Sequence, residues 1–110
     1  MIGSDMSLST KQQEFTVKIG LLISYANSVG YGLTFGDCYR SPAVKYGHKD
    51  STHRSRLAVD FNIFLDGNYL QGEDAEIGHN KLHDYWDEIG GSERIADDLN
   101  HYSQKHNGIL

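Results

Sequence analysis

The chain has 110 residues, enough to bury one core and too few for two. Hydrophobic residues make up 38%, with seven Tyr, four Phe and one Trp, a composition that fits a globular protein and argues against a disordered chain. A formal charge of −5 with no cluster among the ten Lys and Arg residues disfavours nucleic acid as a partner, since binding phosphates needs a concentrated basic surface. Cys38 is alone, which excludes an internal disulfide and a cysteine-rich structural zinc site.

Residues 1–8 read as a flexible leader, followed by a single domain over 9–110. The longest apolar run, Ile19 to Ile23, is too short to span a bilayer. No basic segment followed by an apolar one opens the chain, so neither membrane insertion nor a signal peptide is expected.

Ser9 or Thr10 is a candidate N-cap, because a hydroxyl oxygen can bond an amide that the first helical turn leaves without a partner. Phe15, Ile19, Leu22, Ile23, Ala26 and Val29 then recur at helical spacing and predict an amphipathic, core-facing helix stopped by Gly30 and Gly32. From Tyr31 the spacing shortens, and Leu33 and Phe35 begin a strand that runs into Asp37, Cys38, Tyr39 and Arg40. Ser41-Pro42 ends it, since proline disfavours helix before it and cannot donate to a ladder.

Charge, Gly47 and three hydroxyl residues (Ser51, Thr52, Ser55) make 45–55 a predicted loop. Residues 57–65 alternate and are rich in β-formers, so they predict a strand. Asp66-Gly67-Asn68 then turns the chain and Tyr69-Leu70-Gln71 pairs back as a hairpin. A second helix is expected over 79–89, with Leu82, Tyr85, Trp86 and Ile89 on one face and Gly90-Gly91 at its end. A short strand is expected around 100–103. Helix, strands, helix and strand in this order predict an α+β fold, a small antiparallel sheet with flanking helices.

The residue types at 53, 60 and 101 suit a metal. His53 and Asp60 lie at a loop-to-strand transition, and His101 follows Asp98 by three residues. Catalytic zinc takes three protein ligands and keeps a fourth position open. His53, Asp60 and His101 supply two neutral ligands and one negative one. That leaves a net positive centre, which acidifies water. Peptide hydrolysis then needs a general base, and Asp98 is the candidate, with Asp97 beside it as a one-residue ambiguity that spacing resolves in favour of Asp98. Arg40 is the candidate cation for a developing oxyanion or a substrate carboxylate.

Each of these residues has an ordinary structural reading as well. A lone histidine usually hydrogen-bonds or faces solvent. Asp60 is harder to explain that way, because it sits between Val59 and Phe61 and a buried unpaired carboxylate is costly. His79 and His83 form a rival pair at i and i+4, but the helix lacks the intervening Glu of a catalytic zincin motif and they read as supporting residues. His48 and His106 are expected to face solvent, and Cys38 to be a small core residue.

The pattern Ser51-x-His53-x-x-x-x-Ala58-x-Asp60 resembles the first zinc signature of the M15 metallopeptidases, S-x-H-x-x-G-x-A-x-D. Asp98-x-x-His101 resembles the second, in which an acidic base precedes the last ligand. Trp86 with Gly90-Gly91, and Tyr39-Arg40-Ser41, resemble the flanking segments. The likeness covers roughly residues 31–103. It departs from the pattern at Arg56, where the family has glycine, and at Tyr102-Ser103, where Phe-Glu is common.

The resemblance implies a Hedgehog/DD-peptidase-like fold with one Zn2+ per chain on His53, Asp60 and His101. It implies Asp98 as catalytic base, Arg40 assisting the substrate, and hydrolysis of peptidoglycan stem peptides as a D-Ala-D-Ala carboxypeptidase or an L-Ala-D-Glu endopeptidase. A monomeric phage-type lysin, made in the cytoplasm and reaching the cell wall through a holin, fits the missing signal peptide. The alternative is a non-catalytic cell-wall peptide-binding module of the same fold.

Overall fold

In the computed structural model, which describes residues 7–38, 52–106 and 109–110, helix α1 spans Leu8–Ser28. Its cap is Ser7 rather than Ser9 or Thr10: the Ser7 hydroxyl accepts from the Thr10 amide at 3.1 Å. The helix thus takes in Leu8, which the sequence reading left in the leader. Phe15, Ile19, Leu22 and Ala26 form its buried stripe, as their spacing requires. Gly30, at φ 95°, adopts the left-handed conformation that ends the helix, whereas Gly32 belongs to the following strand.

Strand β1 (Tyr31–Phe35) pairs antiparallel with β2 (Ala58–Leu65), from Tyr31 opposite Leu65 to Phe35 opposite Phe61. Two further bonds, Gly36 N–H to the Asp60 carbonyl and Asp60 N–H to the Asp37 carbonyl, both 2.7 Å, extend the contact past the end of β1. Tyr39, Arg40, His48 and Ser51 lie outside the described residues. The end of the expected loop is ordered: Thr52–Ser55 makes a 3-10 turn, tied by Leu57 N–H to the Thr52 carbonyl at 2.8 Å.

Asp66 (φ 50°) and Gly67 (φ 79°) form a two-residue hairpin turn with both residues left-handed, the geometry that an Asp-Gly pair favours. Strand β3 (Asn68–Tyr69) returns along the end of β2, with Asn68 already in the strand. Helix α2 spans Gly72–Glu88, seven residues earlier than its apolar spacing predicts. Its first turn is exposed and acidic. Glu73 and Asp74 suit the positive end of the helix dipole, a preference that hydrophobic periodicity does not register.

Strand β4 (His101–Ser103) pairs antiparallel with β2, with Asp60 opposite His101, Val59 opposite Tyr102 and Ala58 opposite Ser103. The four strands form one small antiparallel sheet centred on β2, and with α1 and α2 the architecture is α+β. Peptide groups of even-numbered β2 residues face β1. Those of Phe61 and Ile63 face the other edge, where Phe61 donates to the Asn100 carbonyl and Ile63 accepts from Leu70. β3 and β4 therefore share one edge of β2, at opposite ends.

Leu57, just before β2, and Val59, Phe61 and Ile63 within it alternate and bury one face against the helices. Trp86 and Tyr102, both fully buried, centre this core; Phe15 meets the Trp86 ring edge-on at 6.0 Å. Burial of each such side chain stabilises the fold by about 2–3 kcal/mol. Gly91 follows α2 because a Cβ there would run into the Trp86 ring. No described helix is long and apolar enough to cross a membrane.

Candidate metal centre

Alternation along β2 sends Asp60 to the face away from the core. The register then sets His101 directly opposite Asp60, while its neighbour Tyr102, opposite Val59, points into the core. The 3-10 turn that precedes β2 brings in His53. Three residues far apart in the chain thus meet on one side of the sheet: His53 Nε2, His101 Nδ1 and Asp60 Oδ1 are each 3.2 Å from the other two. Both histidines are buried and Asp60 is half-buried.

The outer ring nitrogens fix what the inner ones can do. His53 Nδ1 is 3.2 Å from the Cys38 carbonyl, and His101 Nε2 is 3.2 Å from the Leu110 carbonyl. A carbonyl only accepts, so both outer nitrogens carry hydrogen and donate. In neutral imidazoles this leaves lone pairs on His53 Nε2 and His101 Nδ1, aimed with the Asp60 carboxylate at a common point. With both rings neutral, the three inner atoms are all acceptors, a set that a cation between them satisfies.

The spacing fits such an ion. Bonds of about 2.0 Å to a tetrahedral zinc place ligand atoms about 3.3 Å apart, close to the 3.2 Å separations found. Among the described residues these three form the group able to hold a metal ion, and they are the three residues singled out by sequence. Burial works to raise the Asp60 carboxyl, but when His101 and His53 carry protons on their inner nitrogens their hydrogen bonds and charge outweigh it and bring it down to about 2. Asp60 is therefore an anion throughout the range in which imidazoles are neutral.

Asp98 stands at the rim, with an exposed side chain, in a turn closed by His101 N–H donating to the Asp98 carbonyl at 3.1 Å. Partial burial pushes its carboxyl above the ordinary range. His101 and His53 pull it down, and Asp60 and Asp97 add to the rise. The same charges thus act on Asp98 and on the proposed ligands. Arg40 lies outside the described residues.

His79 and His83 do not join the cluster. Both are buried on the inner face of α2 against Tyr102, whose hydroxyl is hydrogen-bonded to His79 Nδ1 at 2.8 Å and whose ring stacks on His83 at 4.1 Å. Burial brings each imidazole down to about 4, with His83 contributing for His79 and Arg94 for His83, so both stay neutral. Two other expectations are corrected. Cys38 is exposed, and its role at the site is its backbone carbonyl. His106 is half-buried, with Lys11 Nζ donating to its Nδ1 at 3.4 Å.

The main-chain oxygens of Cys38 and Leu110 that tie the two rings carry no side-chain signature and were invisible in the sequence, whereas His83, which read as a supporting residue, donates from Nε2 to the Leu99 carbonyl at 2.7 Å. Two cavities, of about 320 and 330 Å³, share Gly72, Ala75 and His79 in their walls; Asp97 and Leu99 line the first and Asn100 the second, and none of the three clustered residues lines either. Comparison with family models, curated proteins and solved structures returned no match.

Proposed function

We propose that this chain is a zinc-dependent peptidase of the Hedgehog/DD-peptidase type that hydrolyses peptide bonds in peptidoglycan stem peptides, at D-Ala-D-Ala or L-Ala-D-Glu, in the manner of a phage lysin. The observation that carries the reading is the convergence of His53 Nε2, His101 Nδ1 and Asp60 Oδ1 at 3.2 Å with both outer imidazole nitrogens tied to carbonyls. A binding module has no need of a pre-oriented acceptor set beside a carboxylate whose proton affinity is raised.

Zinc, when bound, supplies a Lewis acid that polarises a carbonyl and acidifies water. His53, His101 and Asp60 would hold it, with both imidazole rings anchored through their outer nitrogens. Asp98 takes the proton from the attacking water and returns it to the departing amine, a role favoured by a carboxyl raised above its ordinary range. Arg40 is assigned the developing negative charge or a substrate carboxylate.

Purified muropeptides incubated with the zinc-loaded protein and analysed by mass spectrometry test the proposal. Release of D-Ala, or of fragments cut after L-Ala, supports it and identifies the bond. Intact muropeptides with a zinc-loaded chain would leave the binding module as the correct reading.

A further inference from the structure

His83 lies fully buried on the inner face of α2, its ring stacked on Tyr102 at 4.1 Å with 11° between the planes. Its Nε2 is 2.7 Å from the Leu99 carbonyl, so this nitrogen carries the proton and Nδ1 carries the lone pair. Nδ1 is buried and has no hydrogen-bond partner among the described residues. A buried acceptor left unpaired destabilises a fold, and an apolar ring would fill the same space without that cost. What an imidazole does here that phenylalanine cannot is donate from Nε2.

The accepting carbonyl has a particular place. Leu99 is the second residue of the turn Asp98–Leu99–Asn100–His101, whose ends are joined by His101 N–H to the Asp98 carbonyl at 3.1 Å. The Asn100 carbonyl accepts from Phe61 N–H of β2 at 3.0 Å. The turn is thus closed on itself, tied to β2 through Asn100 and tied to α2 through Leu99. Without the last tie the Leu99 peptide plane can rotate, and rotation there changes the direction of Asp98 relative to His101.

We propose that His83 is a positioning residue of the metal centre: its hydrogen bond to the Leu99 carbonyl sets the turn that spaces the Asp98 carboxylate from the His101 imidazole. The inference rests on the metallopeptidase reading. His83 does not touch the metal or the substrate in this account. It acts through one backbone carbonyl, as groups behind metal ligands commonly do.

The test compares wild type, His83→Phe and His83→Gln. Zinc affinity is read by competition with a chromophoric chelator, kcat and KM on muropeptide, and folding by circular dichroism. Phenylalanine keeps the stack on Tyr102 and removes the donor, whereas glutamine can present an N–H near the original Nε2. The expected result is a folded Phe variant with zinc binding about 10-fold weaker and kcat lowered more than KM is raised, with most of both losses recovered in the Gln variant. If the Phe variant does not fold, His83→Met removes the same donor without a rigid ring and carries the same comparison.

A merely structural role predicts lowered melting temperatures with zinc affinity and kcat unchanged in the folded variants, and that result overturns the assignment. Wild-type protein that takes up no zinc overturns the metallopeptidase reading, and this inference with it. Wild-type zinc binding matched by the Phe variant overturns the role of His83 alone.

Discussion

Asp60 and His101 stand directly opposite each other on antiparallel strands β2 and β4, and His101 Nδ1 lies 3.2 Å from Asp60 Oδ1. One cross-strand pair therefore supplies two of the three proposed ligands, and a slip of one residue in the pairing would turn His101 into the core and Tyr102 out of it. The integrity of the site is tied to the register of a three-residue strand.

The first prediction follows from that coupling. Zinc bound to the folded chain and not to the unfolded one stabilises by about 2.7 kcal/mol at 100 times Kd. For a domain of this size that corresponds to a fall in Tm of at least about 10 °C when a chelator removes the metal. His53→Ala should abolish the zinc-dependent part of this shift. Scanning calorimetry with and without chelator reads it; an identical Tm in both conditions argues against a folded-state zinc site.

Asp98→Asn should keep the zinc site and lose turnover. The amide is nearly isosteric but cannot take a proton, so kcat should fall about 10²–10⁴-fold with zinc content unchanged. Parallel assays of zinc content and muropeptide hydrolysis decide it. Undiminished turnover would remove Asp98 from the mechanism.

The buried histidines of α2 give a pH dependence of stability. His79 and His83 are both lowered to about 4 in the folded chain, chiefly by burial, against about 6.5 when unfolded. Below pH 6.5 the unfolded chain takes up protons that the folded chain does not. Stability should therefore fall as pH drops from 6.5 to 4 and level off below for these two groups, by at most about 3 kcal/mol each. Urea denaturation of metal-free protein across pH 4–7 measures this slope, and a flat profile would mean that the two imidazoles are not buried as described.

Gly91 has no room for a side chain, because a Cβ there would overlap the Trp86 indole. Gly91→Ala must displace Trp86 from the centre of the core at a cost of about 1–3 kcal/mol. Denaturant titration and a shift in Trp86 emission report both effects. A variant with wild-type stability and emission would contradict this packing.

How much of this was legible in the sequence differs by element. The buried stripe of α1 and the alternation of β2 were readable, because helical and strand periods leave a direct mark on apolar spacing. The grouping of His53, Asp60 and His101 was readable because few residue types bind metal and their spacing resembles a metal-site signature. The first seven residues of α2 were missed, since an exposed acidic turn has no apolar period. Cys38 was misread as a core residue, although the chain around it places the side chain outside and uses only its carbonyl. The support given by His83 to Leu99, and by Tyr102 to His79, arises from packing between α2 and β4, to which local spacing is blind.

The most direct measurement is metal content per chain by elemental mass spectrometry, on protein purified without added metal or nickel affinity. The account predicts close to one zinc per chain, lost in His53→Ala and His101→Ala. A chain that carries no zinc and takes none up from micromolar solution would contradict it.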